Sequence, residues 1–129
     1  MKVLFDANVI ISGFVTRGYS FDVIKDAIYK HKVYYSEYLL KEIQDILPNK
    51  FSLSESVVHF ALSTIKKYFI KGETASMVEN VCRDPNDNQV LADALANKIE
   101  ILITGDKDLL VLKKYKGIKI ISPKAYWNL

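Results

Sequence analysis

Residues 101–106 read Ile-Leu-Ile-Thr-Gly-Asp, a short apolar run that ends in an acid. Residues 3–6, Val-Leu-Phe-Asp, repeat this design near the start of the chain. Short, continuously apolar runs are typical of strands buried on both faces of a parallel sheet. If the two strands are neighbours, Asp6 and Asp106 lie at one edge of that sheet, where open α/β folds build their sites.

The rest of the chain alternates between strand-like and helix-like segments. This alternation, with apolar strands, predicts a three-layer α/β/α sandwich around a central, mostly parallel sheet. The predicted strands are 2–5, 32–35, 75–79, 100–104 and 118–121, and the predicted helices are 20–30, 37–47, Ser54 to about residue 69, 86–97 and 107–113. The best candidates for mobile segments are Gly13–Tyr19 and the turn at 71–74.

Composition sets the broad class. A chain of 129 residues, half of them hydrophobic, is predicted to form a single domain over residues 1–129. The single cysteine, Cys82, excludes an internal disulfide and a cysteine-based zinc site. No apolar run reaches the length of a membrane span, and Asp6 interrupts any signal-peptide core. A cytoplasmic location is the default expectation.

Two further acids lie on predicted helices. Glu42 falls at the border of the apolar stripe on helix 37–47, a position that surface glutamates also occupy. Asp87 precedes Val90 and Leu91 by three and four residues, so it points along the buried face of its helix. Asp84, which competes with Asp87 for a functional role, also fits the N-cap of this helix.

The acids that follow the strands have ordinary explanations as well. Asp6 could form a turn or cap a helix, and Asp106 could cap the helix after it. Asp108 is predicted to face solvent, with reach toward a second ion as the alternative. Gly105 suggests a tight turn that lets backbone or ligand approach closely.

The four acids Asp6, Glu42, Asp87 and Asp106 nevertheless share one predicted edge. Several carboxylates in one pocket cannot all stay ionised without a cation, because like charges raise each other's pKa. The sequence therefore predicts a divalent-metal site.

The net charge of +3 understates the positive charge of the remaining surface if those four acids lie in one metal pocket. The remaining surface then carries 18 basic residues against 11 acids, a balance that attracts polyanions. Charge alone is equally compatible with an ordinary solvated surface.

Four stretches together resemble the PIN-domain nucleases, over the whole chain and at the family's spacing. They are residues 6–12 (Asp-Ala-Asn-Val-Ile-Ile-Ser), 36–42, 84–88 (Asp-Pro-Asn-Asp-Asn) and 104–110 (Thr-Gly-Asp-Lys-Asp-Leu-Leu). The resemblance is greatest to the bacterial and archaeal toxins of toxin–antitoxin pairs. It implies cleavage of single-stranded RNA with Mg²⁺ or Mn²⁺ to leave a 5′-phosphate and a 3′-hydroxyl, a cognate antitoxin as partner, and a homodimer.

The same resemblance implies roles for individual residues. The catalytic and metal-binding acids are Asp6, Glu42, Asp87 and Asp106, and the supporting polar residues are Asn8, Ser12 and Thr104. Arg17, beyond the first strand, and Lys113 and Lys114, near the last turn, are possible RNA contacts, although basic runs are more commonly plain surface.

Two other functions compete with the nuclease. A catalytically silent domain of the same fold could bind RNA or dock a partner through an intact acidic pocket. A phosphatase of the haloacid-dehalogenase type also has an aspartate after its first strand, but it requires Asp-x-Asp, and the second position here is Asn8.

Overall fold

The computed structural model describes residues 1–46, 48–49 and 52–129. The end of the predicted helix 37–47 and the side chain of its stripe residue Ile46 lie outside the described part. The strands are β1 (Lys2–Phe5), β2 (Lys32–Tyr35), β3 (Ile70–Lys71), β4 (Ile101–Ile103), β5 (Lys114–Tyr115) and β6 (Ile118–Ile121). The helices are α1 (Ala7–Thr16), α2 (Tyr19–Lys30), α3 (Glu37–Lys41), α4 (Glu55–Tyr68), α5 (Pro85–Ala96) and α6 (Lys107–Leu110), with a π-helical turn at Glu42–Ile46 and a 3₁₀ turn at Lys124–Asn128.

The described strands form a sheet in the order β3-β2-β1-β4-β6-β5. All pairs are parallel except the outermost, β5 with β6, which is antiparallel. The predicted central, mostly parallel sheet is therefore confirmed. The strands β1 and β4 are direct neighbours at its centre, so their carboxyl ends meet at one edge.

Helices cover both faces of the sheet, because alternate strand residues point to opposite sides. Val3 and Phe5 of β1 pack into a core with α1, α2 and α4, whereas Leu4 packs into a second core with α5. This arrangement confirms the three-layer sandwich. No helix among the described residues combines the length and apolar character that a membrane crossing requires.

Helix α1 was not predicted from the sequence. The stretch Gly13–Tyr19, whose mobility stays a prediction, contains the last turn of α1, a short connection and the start of α2. The β-branched residues and Gly13 make α1 a weak helix by propensity. Gly13 allows α1 to approach α2 closely, because a Cβ there would lie 2.9 Å from Cδ1 of Ile24 and 3.1 Å from the backbone nitrogen of Phe21.

The predicted strand over 75–79 is wrong: the strand in this region is β3, and residues 72–83 run beside α5 without regular structure. Side chains of α5 take the hydrogen bonds that a sheet would otherwise provide. Oδ1 of Asp93 accepts from the N–H of Ala75 at 2.7 Å, and Oδ1 of Asn88 accepts from the N–H of Cys82 at 2.6 Å. These bonds fix the segment that leads into the start of α5.

Candidate metal centre

The strands β1 and β4 place two polar side chains next to each other. Phe5 pairs with Ile103, so the residues that follow them, Asp6 and Thr104, lie side by side. The Thr104 hydroxyl donates to Oδ2 of Asp6 at 2.8 Å, and both side chains are buried. The pairing of the strands therefore sets the orientation of the Asp6 carboxylate.

Asp106 is tied to the same hydroxyl. Its N–H donates to Oγ1 of Thr104 at 3.0 Å, and its Oδ1 accepts from the N–H of Asp108 at 2.8 Å. Asp106 is thus the N-cap of α6. It also belongs to the group of acids at the carboxyl ends of β1 and β4, and we call this side of the sheet the acidic edge. Gly105 is exposed, and a Cβ there would meet no atom of the described residues within 4 Å, so packing against them does not require glycine at this turn.

At the start of α5, Asp84 and Asp87 divide two roles. Asp84 is exposed and caps the helix, since its Oδ1 accepts from the N–H of Asn86 at 2.9 Å. Asp87 is only 5% exposed. Its Oδ2 is buried and has no hydrogen-bond partner among the described residues.

Asp87 faces two other acids. Carboxylate oxygens of Asp87, Asp106 and Asp108 all lie within 4.8 Å of one another. We call these three residues the acidic trio. Asp108 also accepts hydrogen bonds from Nη2 of Arg83 at both of its oxygens, at 2.9 and 3.1 Å. It therefore faces the acids as well as solvent.

The electrostatics of the edge show how closely these acids interact. Burial, reinforced by the charges of Asp106, Asp84, Asp6 and Asp108, raises the pKa of Asp87 to about 7. Burial also raises the pKa of Asp6, an effect that the Thr104 hydrogen bond opposes and the charge of Asp106 reinforces. Negative charge on this edge is thus costly in the absence of a cation.

Glu42 lies beside this group rather than within the trio. It is buried at the start of the π-helical turn and lines a small cavity together with Tyr38 and Asp93. Burial and the charges of Glu42, Asp84, Asp93 and Asp87 raise the pKa of Tyr38 to about 12. The Tyr38 hydroxyl donates to Oδ1 of Asn86 in the first turn of α5. Tyr38 therefore interacts with both Glu42 and the start of α5.

The predicted supporting residues lie on exposed positions of α1 and at the tip of β4. Asn8 and Ser12 line a cleft of about 250 Å³ that also contains Gly105 and Asp106. An amide and a hydroxyl therefore face the open side of Asp106. Thr104 is fully buried and acts through its bonds to Asp6 and Asp106.

The three predicted RNA contacts are placed elsewhere. Arg17 follows α1, about 15 Å along the helix axis from Asp6, and its guanidinium stacks on Phe60, 4.8 Å from the ring centroid. Lys113 and Lys114 are exposed residues at the edge strand β5, which lies about 10 Å across the sheet from β4. The structure does not join these cations to the acidic edge.

Sequence reasoning missed Arg83 and Asp93, and for Asp108 it gave reach toward an ion only as the alternative to a solvent-facing position. Arg83 directly precedes the capping Asp84, and Asp108 lies in the first turn of α6, so their proximity to the acids depended on two turns that the sequence specifies weakly. Asp93 is 1% exposed, and its place as the one charged residue in the run Val-Leu-Ala-Asp-Ala-Leu-Ala of residues 90–96 was its signal.

Comparison with known proteins identifies the family to which the chain belongs. A family model for the PIN domain matches residues 2–108, a span that contains every acid discussed above. The chain belongs to the PIN-domain family. No curated protein matches this PIN domain significantly.

Among solved structures, this PIN domain is similar to a chain in the crystal structure of VapBC2 from Rickettsia felis bound to a DNA fragment from their promoter. The TM-score is 0.68 at 11% sequence identity, and the match covers 95% of this PIN domain and 98% of that chain. At this identity the similarity shows the shared fold alone.

Proposed function

We propose that this PIN domain is a metal-dependent endoribonuclease that cleaves single-stranded RNA, and that it is the toxin half of a toxin–antitoxin pair. The observation that carries the proposal is the environment of the buried Asp87 carboxylate. Its buried Oδ2 has no hydrogen-bond partner among the described residues, yet it lies beside two other carboxylates. A buried acid in such surroundings is stabilised by a bound cation.

The donor set fits Mg²⁺ or Mn²⁺, both of which prefer carboxylate and water oxygens. The acidic trio offers oxygens from three residues within one small volume, and Asp6 is fixed next to Asp106 through Thr104. We assign Asp6, Asp87 and Asp106 as the residues that hold the ion, with Glu42 and Asp108 beside them. When bound, the ion would lower the pKa of water and offset charge on the scissile phosphate.

The protein's own groups would orient the reaction. The Asp6 carboxylate, held by Thr104, would accept a hydrogen bond from the attacking water. Asn8 and Ser12, which line the cleft beside Asp106, would contact phosphate oxygens. In-line attack on phosphorus then breaks the bond to the 3′ oxygen and leaves a 5′-phosphate and a 3′-hydroxyl.

The test is incubation of the purified chain with single-stranded RNA and MnCl₂ or MgCl₂. We expect cleavage that EDTA stops, that Asp6→Asn abolishes and that Asp87→Asn lowers about a thousandfold. Asp22→Asn is the matched control, because it removes an exposed carboxylate on α2 by the same substitution. Cleavage that persists in EDTA would refute the metal-dependent reaction, and RNA binding without cleavage would indicate a catalytically silent module.

An antitoxin partner is supported by an apolar groove between α2 and α4. The groove has a volume of about 620 Å³, and its walls include Phe21, Ile28, Phe60 and Tyr29. The groove carries cations as well: Arg17 stacks on Phe60 and Lys25 on Phe21. An occupant with apolar side chains flanked by acids fits these features.

Co-purification with the product of an adjacent small reading frame tests this part of the proposal. Tyr29→Ala should weaken the complex, since Tyr29 lines the groove and is 88% exposed. Met77→Ala is the matched control, because Met77 is equally exposed outside the groove. An unchanged complex with Tyr29→Ala would contradict this docking site. The homodimer and the cytoplasmic location stay predictions, and light scattering of the purified chain tests the first.

A further inference from the structure

Arg83 is bonded directly to the acidic edge. Of the ion pairs within the described residues, only Arg83–Asp108 involves an acid of the trio. The Asp108 carboxylate reaches within 4.8 Å of oxygens of Asp87 and Asp106. The Arg83 guanidinium therefore lies one carboxylate away from the proposed cation position.

Most of the hydrogen-bonding capacity of this guanidinium is unused. Only Nη2 donates to Asp108, and no described residue accepts from Nη1 or Nε. The Arg83 side chain is 87% exposed, so those donors face solvent. Arginine offers five N–H donors in a planar fork that matches two phosphate oxygens. Arg83 is thus anchored at one nitrogen and open at the others.

Folding does not explain this pair, since exposed ion pairs contribute little to stability. The charge at the edge gives another reason for a cation. An RNA phosphate that approaches the site is repelled by several carboxylates. Their charges influence the pKa of Asp87 or of Arg83, and they belong to Asp6, Asp84, Asp87, Asp106 and Asp108. A positive group besides the metal would reduce this repulsion.

We propose that Arg83 clamps a backbone phosphate of the RNA at the acidic edge, and that Asp108 positions the guanidinium for this contact. The inference rests on the proposed nuclease function and adds a substrate-binding residue to it. Because the contact is to phosphate, it fixes the register of the strand without reading its bases.

Binding of a fluorescein-labelled single-stranded RNA, followed by anisotropy in MnCl₂, tests the clamp. The Asp6→Asn background prevents cleavage during the measurement. We expect Arg83→Gln to raise Kd about tenfold and to reduce the slope of log K against log salt by about 0.7. Arg83→Lys should keep that slope and recover only part of the affinity, because an ammonium lacks the fork. Lys116→Gln is the matched control, since it removes another ion-paired cation at the far strand edge and should change Kd little.

Mn²⁺ binding separates the clamp from a merely structural role. Free Mn²⁺ measured by electron paramagnetic resonance should show equal or tighter metal binding in Arg83→Gln, because the guanidinium competes for Asp108. Weaker Mn²⁺ binding together with unchanged RNA affinity would overturn the clamp and make Arg83 an organiser of the acids. If the parent chain fails to cleave RNA while its RNA affinity still depends on Arg83, the proposed function fails and the clamp stands.

Discussion

Asp87 and Asp93 are both buried on α5, six residues apart, yet their surroundings differ completely. Asp93 accepts hydrogen bonds from the N–H of Ala75 and from Nε2 of Gln89 at 2.7 and 2.8 Å. Asp87 has an oxygen without a partner among the described residues, and burial together with the charges of the neighbouring acids raises its pKa to about 7. A buried carboxylate that accepts hydrogen bonds from neighbouring segments serves the fold, whereas one with an unpaired buried oxygen among other acids indicates a ligand.

Activity should separate the two aspartates most strongly. We predict that Asp87→Asn lowers the rate of RNA cleavage about a thousandfold, because it removes a charged ligand from a site whose ion contributes several kcal/mol to catalysis. Asp93→Asn should retain most of the rate, since an amide oxygen can still accept from Ala75. Initial cleavage rates of the two variants on one RNA with MnCl₂ test this prediction. Equal losses of rate would contradict the different roles assigned to Asp87 and Asp93.

Stability should separate them in the opposite direction. Asp93→Ala leaves the N–H of Ala75 without its acceptor, and the Gln89 amide keeps only its bond to the carbonyl oxygen of Ala75. We expect it to lower the free energy of unfolding by about 2–4 kcal/mol in urea titrations. Asp87→Ala should cost far less in EDTA, because it removes repulsion among the acids. A larger loss for Asp87→Ala than for Asp93→Ala would contradict this assignment.

Thr104→Val probes the link between the two strand ends. Valine keeps the shape of the side chain but removes the hydroxyl that donates to Asp6 and accepts from Asp106. We predict a loss of about 1–2 kcal/mol in unfolding free energy. The pKa of Asp6 should rise further, so the acid limb of the pH–rate profile moves to higher pH. Thr64→Val, on α4, is the matched control, and an identical profile in the Thr104 variant would disprove the role of the hydroxyl.

The smallest expected effect is on stability against pH in EDTA. The folded protein retains a proton on Asp87 up to about pH 7, whereas an unfolded aspartate ionises near its ordinary pKa of 3.8. The folded state therefore binds more protons between these values, and the free energy of unfolding should fall as pH rises through this window. Relative to Asp87→Asn, we expect a fall of about 1 kcal/mol that levels off above pH 7. A difference that grows in favour of the parent with rising pH would contradict the raised pKa.

The sequence predicted those parts of the molecule that depend on local pattern. The apolar runs of β1 and β4 fix two central strands, and their acids follow them directly, so the meeting of Asp6 with Thr104 could be anticipated. The capping role of Asp84 was likewise predictable from Pro85, which follows it. Helix α1 was missed because β-branched residues and Gly13 lower its propensity, and burial against α2 and α4 outweighs that cost.

Other features depend on how distant segments pack. Residues 75–79 resemble a strand in composition, but their backbone is held by side chains of α5, which no local pattern reveals. Asp108 joins the trio, and Arg83 joins Asp108, because α6 starts in a turn beside α5. Glu42 begins a π-helical turn, which a regular helical projection does not anticipate.

Calorimetric titration of the metal-free chain with MnCl₂ near pH 7, in buffers of different ionisation enthalpy, is the most direct test of the acidic edge. We predict saturable binding accompanied by proton release, because Asp87 must lose its proton to hold the ion, and loss of both in Asp87→Asn but not in Asp93→Asn. Absence of Mn²⁺ binding, or binding indifferent to Asp87, would contradict the claim that these carboxylates form a cation site.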